Sequence, residues 1–145
     1  VTNGTTDRQL VRRHLIALDD GLANLKRHRG TTLEALRSNR DVCWVVERGL
    51  QLCAQNVLDI ATHLVASAGR DAPDYASALD ELGRLGIVPA DHVARIRGIA
   101  GFRNVLVHAY LNVDLARVHE LLTTRLDDFE AFASHIERHL ARTNG

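Results

Sequence analysis

The apolar residues of this chain recur at steps of three and four, and no segment sustains an alternation of period two between turn signals. Val11, Leu15, Leu18, Leu22 and Leu25 draw one stripe down a helix predicted from about Asp7 to His28. Gly30, Thr31 and Thr32 end it and supply turn or cap residues. A longer pattern through Val42, Val45, Val46, Cys53, Val57, Ile60 and Leu64 closes near Ala68-Gly69. Leu50, Leu52 and Leu58 widen that stripe, so the second helix is expected to be central and buried on more than one side. After a loop at Asp71 to Asp74, the spacing of Tyr75, Leu79, Leu82 and Leu85 predicts a short third helix closing at Gly86. Pro89 suits the first turn of a fourth helix, where its missing N–H costs nothing, and that helix runs to about Ala109. Asp114 is a good N-cap for a fifth, marked by Leu115, Val118, Leu122, Phe129, Ala133, Ile136 and Leu140. The expectation is an all-α protein: one domain over residues 1–145, a compact bundle of four long helices plus one short helix. The stripes of the first and fifth helices would pack against the second.

Composition narrows the function classes. A chain of 145 residues is the size of one domain and buries enough surface to fold without disulfides or a structural metal. Its 18 basic residues cancel 18 acidic ones, which excludes a protein that coats nucleic acid by bulk charge but leaves a local basic cleft open. Lys26 is the only lysine, so the other basic residues are arginines. Arginine-rich codon usage explains that bias as well as a need for planar, phosphate-matching side chains does. No apolar run approaches the roughly 20 residues of a membrane span. Val1 to Arg8 is polar and has no signal core, so a cytoplasmic location is expected, and Val1 in place of methionine points to numbering that starts within a longer gene. Cys43 and Cys53 stand roughly 15 Å apart along one helix, too far for a disulfide, and fit as small core residues.

Most catalytic signatures are absent: no P-loop, no dinucleotide fingerprint, no H-E-x-x-H and no nucleophile elbow. No cofactor is implied. His135 and His139, one helical turn apart, lack a third ligand at metal spacing and read as a solvated face. His14, His28, His63, His92 and His119 are scattered and read as surface or satisfied core.

One segment stands apart, Gly98-Ile-Ala-Gly-Phe-Arg-Asn-Val-Leu-Val-His-Ala-Tyr110. At about 100° per residue, Arg97, Gly101, Asn104 and His108 fall on one helix face, within about 60° of one another. Ile99, Phe102 and Leu106 form another face, expected to be core. Gly98 and Gly101 each sacrifice up to about 1 kcal/mol of helix propensity, so something should approach the bared face closely: another helix, a second subunit or a ligand. Arg103 and His108 lie roughly 140° apart around the axis, so one copy does not present both frontally, although the long Arg103 side chain can curl toward the His face. From the residues alone, an arginine at a helix rim and a histidine at a helix C-terminus, favourable to the macrodipole, is an equally good reading.

Arg103-Asn-Val-Leu-Val-His108-Ala-Tyr110 resembles the R-x-x-x-x-H-x-Y motif of HepT-like toxins in the all-helical HEPN superfamily. The likeness runs from about Asp41 onward: Val46 to Gln51 and Val57 to His63 match that family's long second helix. Pro73-Asp-Tyr75, the short helix to Val88 and Arg103-Asn104 follow in order. The first forty residues match only as an amphipathic helix. The resemblance implies a metal-independent endoribonuclease. RNA supplies its own 2′-hydroxyl nucleophile, His108 would move protons near neutral pH, and Arg103 would face the charge building on phosphorus. Asn104 would orient the histidine or a phosphate oxygen, with Arg97, Arg95 and Arg84 as an RNA-binding rim. It further implies a homodimer whose two motifs meet in one cleft.

Tyr110 has two readings. Continued helical geometry places it beside the core face, as a core tyrosine with its hydroxyl at the edge. The resemblance implies instead an acceptor for adenylylation by an MntA-like nucleotidyltransferase antitoxin, the AMP then repelling an RNA phosphate. Two other functions compete with a ribonuclease toxin. One is a non-catalytic nucleotide- or substrate-binding subunit of a nucleotidyltransferase, and the other is a structural dimerisation module. The intact Arg103, His108 and Tyr110 set favours the toxin over a binding subunit, which needs no proton-transfer histidine. A neighbouring nucleotidyltransferase gene would favour either over the structural module.

Overall fold

The computed structural model describes residues 3–108 and 114–143, with side chains over 8–103 and 114–143. Among the described residues eight helices follow one another: α1 (Asn3–Arg27), α2 (Leu33–Ser38), α3 (Arg40–Ser67), α4 (Tyr75–Arg84), α5 (Ala90–Ile96), α6 (Gly98–His108), α7 (Leu115–Thr124) and α8 (Leu126–Arg142). The all-α bundle expected from the periodicity is what the chain forms, with α3 as its axis. α1, α2, α4, α6, α7 and α8 all pack on α3, and α8 also closes against α1 and α5.

The α1 stripe is entirely interior: Val11, Leu15, Leu18, Leu22 and Leu25 are all buried. It faces Val46, Leu50, Cys53, Val57, Ile60 and Leu64, the buried side of α3. The α1–α3 seam is close enough that a Cβ built on Gly21 would lie 2.8 Å from Cys53 Sγ. Both thiols are free, as their separation requires. Burial pushes the Cys53 thiol up to about 12, and desolvation together with the Glu47 carboxylate pushes Cys43 up to about 11.

The number of helices departs from four long and one short. Thr32 does cap a helix, its hydroxyl accepting from Ala35 N at 3.0 Å, and the short α2 that follows buries Leu36. Asn39 ends α2 and caps α3, accepting from Val42 N at 3.2 Å. The predicted fourth helix is interrupted at Arg97, just before the weak helix former Gly98, and becomes α5 and α6, with Pro89 at the N-cap position. The predicted fifth is interrupted at Arg125. There the Thr123 and Thr124 hydroxyls donate back to the carbonyls of His119 (2.8 Å) and Glu120 (2.7 Å), competing with the helical ladder. Asp114 caps α7 as expected, accepting from Ala116 N and Arg117 N at 3.1 and 3.3 Å.

α3 is also less enclosed than its apolar content suggested. Leu50 and Leu58 are buried, but Val45 and Leu52 are exposed, as is Trp44, at 70%. No helix among the described residues is long and apolar enough to cross a membrane.

Candidate functional site

α6 carries the motif and is anchored by its apolar face: Ile99 and Phe102 are buried against the core, as their spacing predicts. Its glycines are not buried contacts. A Cβ on Gly98 or Gly101 would meet no atom of the described residues within 4 Å, and Gly101 is exposed. Of the three candidates for close approach, no other helix among the described residues comes near these two positions. A second subunit or a ligand remains.

Arg103 leaves α6 half-buried and turned toward α3 and α4. Its Nε–H donates to Gln55 Oε1 at 2.7 Å, and its guanidinium carbon lies 5.7 Å from the centre of the Tyr75 ring. The ring's negative face attracts the cation, so Tyr75, itself packed on the core at the start of α4, both fills space and steadies the charge. Gln55 is held in turn by Asp59 one turn along α3, donating through Nε2 to Oδ1 at 2.8 Å. Sequence reading missed Gln55 and Asp59. They fall outside the apolar stripe, and their link to Arg103 spans 48 positions, which no local pattern encodes. Asn104 and His108 lie on α6, their side chains outside those described, and Tyr110 lies outside the described residues.

The three rim arginines sit in two places. Arg97 donates through Nε to both Asp80 oxygens, at 3.1 and 3.3 Å, and Arg84 pairs with Glu81. Both line one open groove of about 460 Å³ with Gly83 and Val93. Arg84, with help from Arg70, holds the Glu81 carboxyl below its ordinary range. Arg95 faces elsewhere, toward Asp128 of α8 at 3.4 Å, and lines a small pocket of about 40 Å³ floored by Phe102 and Phe129.

Four of the histidines form two ring pairs. His14 stacks on His63 with ring centres 5.8 Å apart and shares a 2.8 Å bond with Asn56. His135 meets His92, 5.3 Å between centres, and not His139. Among the described residues no three His, Cys, Asp or Glu side chains gather as a metal-binding group.

An all-helical bundle of this topology, with an R-x-x-x-x-H segment on a helix packed against the long central one, is a HEPN architecture. The chain belongs to the Ribonuclease HepT-like family, whose model matches residues 18–136. It is 27% identical over 121 residues to the tRNA nuclease HepT of Aphanizomenon flos-aquae, a match covering 82% of each chain. Its fold is similar to the AMPylated Shewanella oneidensis HEPN toxin solved in complex with MNT antitoxin (TM-score 0.79, 18% identity, 88% of this chain and 96% of that one). It is similar also to YutE of Bacillus subtilis, a cytosolic protein of unknown function (TM-score 0.82, 19% identity, 94% and 92% covered).

Proposed function

We propose that this chain is the toxin of a toxin–antitoxin pair, a metal-independent endoribonuclease that uses Arg103 and His108 and is silenced by AMP on Tyr110. The observation that carries the reading is Arg103. A motif arginine on a glycine-bared helix is held by an amide acceptor and an aromatic face, an arrangement that restrains its orientation. The family assignment and the relative named as a tRNA nuclease support an RNA substrate. In the reaction the 2′-oxygen attacks phosphorus, the bond to the 5′-oxygen breaks, and a 2′,3′-cyclic phosphate remains. His108 would transfer the proton, its ordinary pKa near 6.5 suiting neutral conditions. Arg103 would face the equatorial oxygens, where charge builds. The roughly 140° between the two positions on α6 suits a homodimer in which one copy's arginine meets the other's histidine. Arg84 and Arg97 would form the rim along one groove, each paired with a carboxylate of α4, while Arg95 is paired with Asp128 of α8.

Silencing follows the same electrostatics. The Tyr110 phenol oxygen attacks the α-phosphorus of ATP on an MntA-like partner enzyme and pyrophosphate leaves. The new phosphate would pair with Arg103 and occupy the place of an RNA phosphate. A solved relative described as an AMPylated toxin bound to its antitoxin supports this reading. The test is induced expression of wild type beside His108→Ala, scoring growth and tRNA integrity. Growth arrest with tRNA fragments should appear in wild type alone, with a rate loss of ~10²–10⁴ for the variant and cleavage unaffected by EDTA. Cleavage that vanishes on chelation and returns with a divalent ion defeats the 2′-hydroxyl mechanism. Tyr110→Phe should stay toxic beside the partner enzyme and gain no AMP by intact-mass spectrometry; modification that survives the substitution removes Tyr110 from the scheme.

A further inference from the structure

We infer that the small pocket between α5, α6, α7 and α8 is a binding site for one phosphate group, held by Arg95, Arg117 and Arg125 and separate from Arg103. The pocket encloses about 40 Å³, and its floor is apolar, made by the buried Ile99, Phe102, Leu121 and Phe129. Its walls are charged: three guanidiniums and one carboxylate, Asp128, line it. A guanidinium has five N–H donors and no acceptor, so a group that suits these walls accepts hydrogen bonds and carries negative charge. Size selects further. A water-sized group needs roughly 10–15 Å³ of such space, so the pocket takes the oxygens of one phosphate and excludes a nucleobase.

The ion pairs around the pocket set its charge. Asp128 is shared, with Oδ1 3.4 Å from Arg95 Nε and Oδ2 3.3 Å from Arg125 Nη1. One carboxylate thus holds two guanidiniums in place and is outnumbered by them. Arg95 is steadied further by the buried His92, whose Nδ1 accepts from Nη2 at 3.2 Å. The other paired carboxylates stand outside the lining: Asp91, 3.8 Å from Arg95, and Glu120, 3.2 Å from Arg117, both exposed to solvent. Exposed pairs of that kind are worth at most about 1 kcal/mol, whereas a phosphate above an apolar floor faces the cations through less water. Gly98 also lines the pocket, and no atom of the described residues comes within 4 Å of where its Cβ would stand, which leaves room for a tetrahedral group. Phe102 of the floor precedes Arg103 in sequence, yet Arg103 turns toward α3 and α4 while the pocket lies on the α7 and α8 side. The two flanks of α6 therefore carry different basic sites. What the pocket recognises is the phosphate group itself, borne by an RNA backbone, a mononucleotide or the free ion.

The test is inorganic phosphate titrated into the full-length protein and followed by calorimetry, where binding should saturate at one ion per chain. Arg125→Gln and Arg117→Gln should each weaken it about tenfold, the loss of one charge-assisted hydrogen bond. Gly98→Leu, which fills the opening, should abolish binding while the protein still unfolds cooperatively. Arg12→Gln removes the same charge from an exposed position on α1 and should bind as wild type does. The site is overturned by any of three results: no saturable binding at about 10 mM phosphate, full binding by Gly98→Leu, or equal weakening in Arg12→Gln and Arg125→Gln. If Arg125→Gln does not fold, Arg117→Gln and Gly98→Leu decide. Competition then reads the source of the phosphate. Displacement by an uncleavable 2′-O-methyl oligoribonucleotide assigns the pocket to RNA, displacement by AMP alone to a mononucleotide, and displacement by neither to the free ion. Because that RNA cannot be cut, the result stands apart from the ribonuclease reading, which His108→Ala decides separately.

Discussion

Gly21 in α1 and Gly101 in α6 both sit inside helices, where glycine costs about 1 kcal/mol relative to alanine. Their surroundings differ completely. Gly21 faces the interior seam, and a Cβ there would lie 2.8 Å from the sulfur of Cys53, a short side chain with no exposed surface. Gly101 has no atom of the described residues within 4 Å of where its Cβ would be. The first glycine is explained by the chain's own packing, since two helices approach closely because neither has bulk between them. The second makes no such contact with the described residues for the propensity it gives up. What it offers is room on the outward face of the motif helix, and that is the difference expected between a residue kept for folding and one kept for contact with something else.

The same substitution at the two sites should have opposite signs. Gly21→Ala should destabilise the fold by about 1–3 kcal/mol, overpacking outweighing the helix-propensity gain, as read by denaturant midpoint. The cause can be isolated with Cys53→Ala, which removes the sulfur from the clash. In that background Gly21→Ala should become neutral or favourable, and additive behaviour of the pair would sink the explanation.

Gly101→Ala is the smaller, opposite effect. It should raise stability by about 0.5–1 kcal/mol, because the propensity gain meets no steric cost. Gly101→Leu should leave the protomer folded but weaken both self-association, followed by light scattering, and tRNA cleavage. A Leu variant with unchanged association and unchanged cleavage would make Gly101 an unexploited surface glycine and erase the contrast with Gly21.

The comparison also shows which parts of the molecule were readable beforehand. The α1 stripe and the inner face of α3 were legible because burial repeats with helical period, and every α1 position predicted for the core is buried. The breaks at Arg97 and Arg125 were not, because an apolar stripe passes through an interruption nearly unchanged while hydroxyl back-bonding and a following glycine act locally. Trp44, Val45 and Leu52 were misleading in the other direction: hydrophobic residues are a poor guide to burial taken one at a time, since much of any protein surface is apolar. The motif itself was legible as a spacing. Its support was not, since Gln55 and Tyr75 reach Arg103 only after α3, α4 and α6 have packed together.

The buried histidines make the fold sensitive to pH in a stated direction. His92 is 1% exposed, the one polar side chain buried to that degree among the described residues. Arg95 Nη2 lies 3.2 Å from its Nδ1, and a guanidinium can only donate, so that nitrogen accepts and the proton of the neutral ring sits on Nε2, which has no hydrogen-bond partner among the described residues. Loss of water lowers its pKa first, and His135 and Arg95 lower it further; Asp128 and Asp91 pull the other way without reversing the direction. His135 and His139 are lowered too, again chiefly by desolvation. A histidine whose folded pKa lies below its unfolded value binds its proton more readily in the unfolded chain. Its stabilising contribution is therefore complete above about pH 6.5 and is lost as pH falls through that value toward the folded pKa. Stability should rise with pH across this window, by at most about 1.4 kcal/mol per pH unit for each proton difference. Urea midpoints at pH 7.5 and 5.5 should show the loss in wild type and a shallower one in His92→Gln, which keeps a polar side chain but cannot titrate. An equal slope in the two proteins would assign the acid sensitivity to other groups and leave His92 neutral throughout.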